Sequence, residues 1–182
     1  MIVKSMRPYF EFLKNRITSK RFEHSVRVGR VCAKLARYYG EEPESAFLAG
    51  LLHDCGREIP VSELLKYVEE YQIECDDFEM KKPVLLHGKV GAAILALYFP
   101  DLAESVFRAV RLHVRGGDVM GKLDMIVYIA DFIEPGRPYF KPDFMVWDDF
   151  STLEELFLRV ERTITLYYKN KSSKKKLERY IN

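Results

Sequence analysis

Along most of the chain apolar residues recur three and four positions apart, the signature of helices that bury one face. Phe22, Val26, Cys32 or Ala33, Ala36 and Tyr39 predict a helix from Thr18–Ser19 to Gly40, where the glycine supplies the stop. Pro43 stands in the first turn of a second helix that passes through Phe47, Leu51 and Leu52 to Gly56. A short third helix begins near Ser62 and ends near Tyr71, and the acidic stretch from Gln72 to Glu79 reads as a loop. Helical patterning resumes from about Pro83 to Phe99. Pro100 breaks it, and Asp101 stands where a cap would start the next helix, to about His113. Arg115 to Asp118 reads as a turn. Lys122 to Glu134 is apolar at Leu123, Ile126, Val127, Ala130 and Ile133, and the Pro135-Gly136-Arg137-Pro138 run ends it. Tyr139 to Asp149 shows no period. Ser151 and Glu154 have capping-box spacing and open a last helix to about Lys169. Strand-like alternation, fixed-period repeats and linkers are not evident. The expected fold is all-α: a helical bundle in one domain, residues 1–168, followed by a basic tail, 169–182, that continues the last helix in frayed form.

Composition narrows the class. A chain of 182 residues buries enough surface to fold without a disulfide or structural metal. Ten Gly and eight Pro are too few for a disordered or collagen-like chain. Cys32, Cys55 and Cys75 are odd in number and lack C-x-x-C spacing, which fits reduced thiols. Met1 to Phe10 has no signal-peptide core. The longest apolar stretch, Val90 to Pro100, is 11 residues, well short of the ~20 of a membrane helix. The expected location is the cytoplasm, with no membrane partner. Net charge is +2, but five Lys and Arg179 against Glu178 give the last fourteen residues +5 and leave the body at −3. Such a body does not suit nucleic acid.

The four histidines carry the chemistry. His53 precedes Asp54 at a predicted helix end; His24 lies in an earlier helix, His87 and His113 in later ones, and Asp131 in the helix after those. Each adjoins an apolar, core-facing segment. One such histidine is explained by a hydrogen bond, and a His-Asp dipeptide arises by chance. The joint pattern is different, because buried imidazoles and carboxylates are costly unless paired or bound to a cation. Helices of a bundle that project His and Asp inward build metal sites.

His24…His53-Asp54…Asp131 resembles the HD-domain metal-dependent phosphohydrolases. The longer stretches Arg21-Phe-Glu-His24-Ser25, Ala49-Gly-Leu-Leu-His53-Asp54, Leu85-Leu-His87-Gly88 and Tyr128-Ile-Ala-Asp131-Phe-Ile-Glu134-Pro135-Gly-Arg137 resemble the YqeK-like branch, the symmetrical diadenosine tetraphosphate hydrolases. The likeness runs from about Arg7 to Tyr139. Two positions depart from it. Arg57 stands where the family often has Lys, which keeps the charge in a fork suited to phosphate. Val114 and Arg115 follow His113 where a hydroxyl residue is common, leaving Arg115 as a charged substitute.

The resemblance implies that His24, His53, Asp54 and Asp131 hold one metal, and that His87 and His113 hold a second bridged by Asp54. It implies iron. The donor set itself suits iron, manganese or cobalt, and the lack of thiolates argues against structural zinc. It further implies symmetrical hydrolysis of diadenosine tetraphosphate to two ADP by metal-activated water, with His53, Asp54, His87 and His113 at the reacting centre. Arg21, Arg57 and Arg137 lie beside three of the motifs and are the candidate phosphate contacts. Glu134 is placed to orient one of them. Tyr139 and Phe140 are candidates for stacking on a nucleobase, with rim packing the plainer reading. Three other readings stay open: an HD phosphohydrolase of another nucleotide or phosphate ester, a weakly catalytic metal-dependent nucleotide sensor, and a di-iron oxygenase. Oligomeric state is left open.

Overall fold

A computed structural model describes residues 6–137 and 149–181, with side chains described to Tyr167 and at Lys169. The elements are α1 (Arg7–Lys14), α2 (Ser19–Tyr38), α3 (Pro43–Leu52), α4 (Val61–Glu70), α5 (Asp77–Lys81), a 3-10 turn (Pro83–Leu86), α6 (His87–Tyr98), α7 (Glu104–Leu112), α8 (Lys122–Ile133) and α9 (Leu153–Ile181). The described residues contain no strand, as the sequence predicts. None of their helices is long and apolar enough to cross a membrane.

Five features differ from expectation, each for a local reason. Helix α1 has no counterpart among the predicted helices, although Tyr9, Phe12 and Leu13 are buried at the three-and-four spacing of a helix face. The predicted acidic loop holds the start of α5: Asp76 accepts from the Glu79 N–H while the Glu79 carboxylate accepts from the Asp76 N–H, a full capping box. The predicted Pro83–Phe99 helix divides into the 3-10 turn and α6, so that His87 opens the α-helix. Asp101 does not cap α7, whose N-cap is Ala103 with no side-chain bond. The last capping box sits one residue later than predicted: Thr152 Oγ1 accepts from the Glu155 N–H at 3.2 Å, and the Thr152 N–H donates to Glu155 at 3.3 Å. Tyr139 and Phe140 lie outside the described residues.

Helix α3 is the axis of the fold. Its Ala46, Leu48, Ala49, Gly50, Leu51 and Leu52 are all buried, so it has no polar stripe and lies between two apolar clusters. One cluster gathers Val28, Leu35, Ala49, Ala109, Ile126, Ile129 and Leu156 from α2, α3, α7, α8 and α9. The other gathers Leu13, Leu51, Leu52, Leu64, Leu86 and Leu95 from α1, α3, α4, the 3-10 turn and α6. Two glycines set the approach of neighbours. A Cβ on Gly50 would lie 2.9 Å from the Gly29 Cα, so α2 crosses α3 backbone to backbone. A Cβ on Gly56 would lie 2.5 Å from the His87 carbonyl oxygen, so the turn after α3 presses on the first turn of α6. These contacts bring His24 and His87 toward His53.

Candidate metal centre

Each candidate side chain is delivered by the end or inner face of a different element. His24 projects from α2; His53 caps α3, with Asp54 in the turn after it; His87 begins α6; His113 caps α7; Asp131 lies near the end of α8. All four imidazoles and Asp54 are buried. The structure brings all six together.

The imidazoles are anchored by the nitrogen that faces away from the cluster. Nδ1 of His53, His87 and His113 each lies 2.7 Å from the carbonyl three residues earlier, at Gly50, Val84 and Val110. His24 Nδ1 instead lies 3.1 Å from Glu134 Oε1. Nδ1–H donation to these oxygens leaves Nε2 of every ring as a lone pair turned inward.

The inward atoms sort about the two oxygens of Asp54. Oδ2 lies 3.6 Å from His24 Nε2 and 3.4 Å from His53 Nε2. Oδ1 lies 3.2 Å from His87 Nε2 and 3.7 Å from His113 Nε2. Asp131 Oδ1 joins the first group, 3.1 Å from His24 Nε2 and 3.6 Å from His53 Nε2. His87 and His113 meet at 3.2 Å between their Nε2 atoms.

These separations fit a shared cation better than mutual hydrogen bonds. His24 Nε2 and His53 Nε2 are buried and have no hydrogen-bond partner. Leaving such atoms dry and unpaired costs about 1–3 kcal/mol each. Two donors about 2.1 Å from one ion, at angles near 90–109°, lie about 3.0–3.4 Å apart. His24, His53 and Asp131 form one group able to hold an ion, and His53, Asp54 and His113 a second.

The electrostatics agree. Burial resists charge on Asp54, but His53, His113 and His87 around it hold its carboxyl well below the usual carboxylate range. Asp131 is likewise held low against burial by His24, His53 and Arg137. Burial also opposes a proton on His53, yet the two carboxylates outweigh it and push the imidazole up to about 10. A cation answers the same demand for positive charge, and its uptake displaces that proton. His113 is pushed down by burial and by its neighbouring imidazoles, which keeps it neutral and able to ligate.

Glu134 has a larger part than its sequence position suggested. Besides His24 it accepts from Arg27 Nε and from the Gly136 N–H, both at 2.7 Å. Those partners overcome burial and bring its carboxyl down to about 2. It fixes the tautomer of His24, as an outer carboxylate commonly does behind a metal-ligating histidine. Arg27 stands three residues after His24 and Glu134 three after Asp131, each on the face of its ligand-bearing neighbour. That spacing was the available signal.

The cluster floors a cavity of about 300 Å³ whose lining includes Arg21, Arg57, Arg137, Tyr128, Phe132, Ile164 and Tyr167. Arg21 donates to Asp54 Oδ2 at 2.8 Å. Arg137 folds back onto Asp131, with Nη2 on Oδ1 and Nε 2.9 Å from the backbone carbonyl. Arg57 lines the cavity with no ion-pair partner among the described residues. Arg115 does not supply the charged substitute expected after His113, because it is turned to Asp76 at 2.5 Å.

The family model described as HD domain matches residues 21–136. The Staphylococcus aureus protein named bis(5'-nucleosyl)-tetraphosphatase, symmetrical, is 34% identical over 124 residues, 68% of this chain and 63% of that protein. A Mycoplasma genitalium protein named probable nicotinate-nucleotide adenylyltransferase/Ap4A hydrolase is 34% identical over 125 residues, 69% of this chain but 35% of that one. The chain thus spans less than two thirds of both relatives. A solved structure from Clostridium acetobutylicum, described as a predicted HD superfamily hydrolase involved in NAD metabolism, superposes with a TM-score of 0.73 at 29% identity. It covers 93% of this chain and 86% of that one. An HD domain implies a divalent metal, and the donors gathered here fit one. Matched from before His24 to beyond Asp131, this chain belongs to the HD-domain family.

Proposed function

We propose that this protein is a metal-dependent phosphoanhydride hydrolase that splits diadenosine tetraphosphate symmetrically into two ADP. In this reading His24, His53, Asp54 and Asp131 hold one ion, and His87, His113 and Asp54 hold a second, with iron the assigned metal and manganese or cobalt compatible. The carrying observation is the division of four inward Nε2 atoms between the two oxygens of one buried carboxylate. Names of relatives such as the S. aureus enzyme supply the substrate. Ions bound there supply Lewis acidity, which activates water near neutral pH and neutralises phosphate oxygens.

The protein's own residues bind and orient. Asp54 stays ionised at neutral pH and takes both halves of the cluster as one unit. Arg57, which has no ion-pair partner among the described residues, is set to grip two oxygens of the phosphate chain. Arg21 and Arg137 add positive charge beside Asp54 and Asp131 while holding those carboxylates in place. Tyr128, Phe132, Ile164 and Tyr167 give the cavity an apolar wall suited to a nucleobase. Attack of water on a central phosphorus of the tetraphosphate breaks the middle P–O bond and releases ADP from each side. We place the protein in the cytoplasm, with its domain at residues 1–168 and a basic tail at 169–182.

Incubation of iron-loaded protein with the dinucleotide, followed by ion-exchange chromatography, tests the reading. Two ADP for each substrate consumed are expected; ATP plus AMP, or no turnover with iron, manganese or cobalt, would contradict it. Arg57→Ala lowers kcat/KM about 10- to 100-fold, carried mainly by KM, as expected for the loss of a charged contact of about 1.5–3 kcal/mol. Steady-state kinetics on the two proteins measure it. An unchanged KM would remove Arg57 from the phosphate site.

A further inference from the structure

Away from the cavity, a second set of charges joins the two helices that carry His87 and His113. Glu79, in α5, is 3% exposed. Its Oε2 accepts from Lys89 Nζ at 2.7 Å and from the Asp76 N–H at 3.0 Å. Its Oε1 lies 3.5 Å from Arg115 Nη1. Asp76 completes the set, accepting from the Glu79 N–H at 2.8 Å and from Arg115 at 2.5 Å. Lys89 also donates to the Glu74 carbonyl at 2.7 Å. Lys89 stands two residues after His87, and Arg115 two residues after His113.

A capping box needs only Asp76 and Glu79. It does not need a buried carboxylate shared by two cations from two other elements, an arrangement that carries a desolvation cost. The geometry of the rings shows what the arrangement does. His87 and His113 are each bonded through Nδ1 to a carbonyl of their own local turn, so the gap between the rings follows the gap between α6 and α7. The two helices touch closely there: a Cβ on Gly88 would lie 2.9 Å from the Val110 carbonyl.

We propose that Glu79 is a positioning residue: bridging Lys89 and Arg115, it fixes α6 against the end of α7 and so holds His87 and His113 side by side facing Asp54 Oδ1. Its consequence for metal rests on the two-ion reading above. The His24–His53 half is anchored elsewhere, on Glu134 and the Gly50 carbonyl, and takes nothing from this bridge.

Glu79→Gln keeps the shape and an acceptor for the Asp76 N–H but removes the charge that both cations share. In the metal-free protein, imidazole nitrogen–proton NMR is expected to show faster Nδ1–H exchange at His87 and His113, about tenfold, with His24 and His53 unchanged. In the metal-loaded protein, competition titration is expected to show the second ion held about 10- to 100-fold more weakly and the first within about twofold. Lys89→Gln leaves the Glu79–Arg115 contact and gives a smaller change of the same kind; it decides the matter if Glu79→Gln does not fold. A general loosening would move all four histidines together. That result, or no change at His87 and His113, would overturn the proposal. A parent protein that takes up a single ion would contradict the two-ion reading, and the metal-free NMR comparison would still decide the role of Glu79.

Discussion

Asp54→Asn strips the cluster of its shared carboxylate, and the protein then holds at most one ion per chain. The amide has one oxygen and one NH2, so whichever way it turns, one pair of imidazole nitrogens faces a group unable to ligate. Both pairs depend on that side chain, His24 and His53 at 3.4–3.6 Å on one oxygen, His87 and His113 at 3.2–3.7 Å on the other. Under the proposed reaction, turnover of the dinucleotide is expected to fall about 10³-fold or more, since several kcal/mol of charge stabilisation would depend on the ions. Calorimetry gives a second readout. A divalent ion at about 100 times its Kd adds about 2.7 kcal/mol to the parent, or roughly 5–11 °C in Tm for a domain of this size. Asp54→Asn shows less than a third of that rise. An unchanged metal content would remove Asp54 from the centre.

Gly56→Ala acts on the same centre through packing. The added Cβ would lie 2.5 Å from the His87 carbonyl oxygen and 3.1 Å from the Gly91 nitrogen, both backbone atoms on one helix. Neither can swing away as a side-chain end would, so α6 must shift and carry His87 with it. Overpacking of this kind costs about 1–3 kcal/mol, a fall of roughly 2–12 °C in Tm. Thermal unfolding measures the loss, and metal analysis is expected to show the His87–His113 half emptied first. A variant with parental Tm and full metal content would contradict the close approach described for Gly56.

The central residues were readable because each lies beside an apolar segment that had to face the core. His24, His53, Asp54, His87, His113 and Asp131 were all expected, and all converge. The supporting residues were harder to read. Glu134 meets His24 across 110 positions of sequence, and its place three residues after Asp131 marks it as a neighbour of the site without naming its partner. Arg115 was expected to face nucleotide, yet Asp76 and Glu79 capture it, because the acidic stretch read as a loop folds into α5 beside it. Arg137 lines the cavity, and its bond to the Asp131 carbonyl is a contact that the sequence spacing does not indicate. Helix α3 ends at Leu52 rather than Gly56, which puts His53 at the cap with Asp54 in the hydrogen-bonded turn after it. Hydrophobic period places helices well; ion pairs between distant elements depend on the tertiary approach, and single glycines decide it here.

The most direct measurement is anomalous diffraction from crystals soaked in manganese. Two peaks are expected, one beside each oxygen of Asp54, the first within reach of His24, His53 and Asp131 and the second within reach of His87 and His113. Manganese located elsewhere, with the imidazole nitrogens turned toward unrelated partners, would contradict the account.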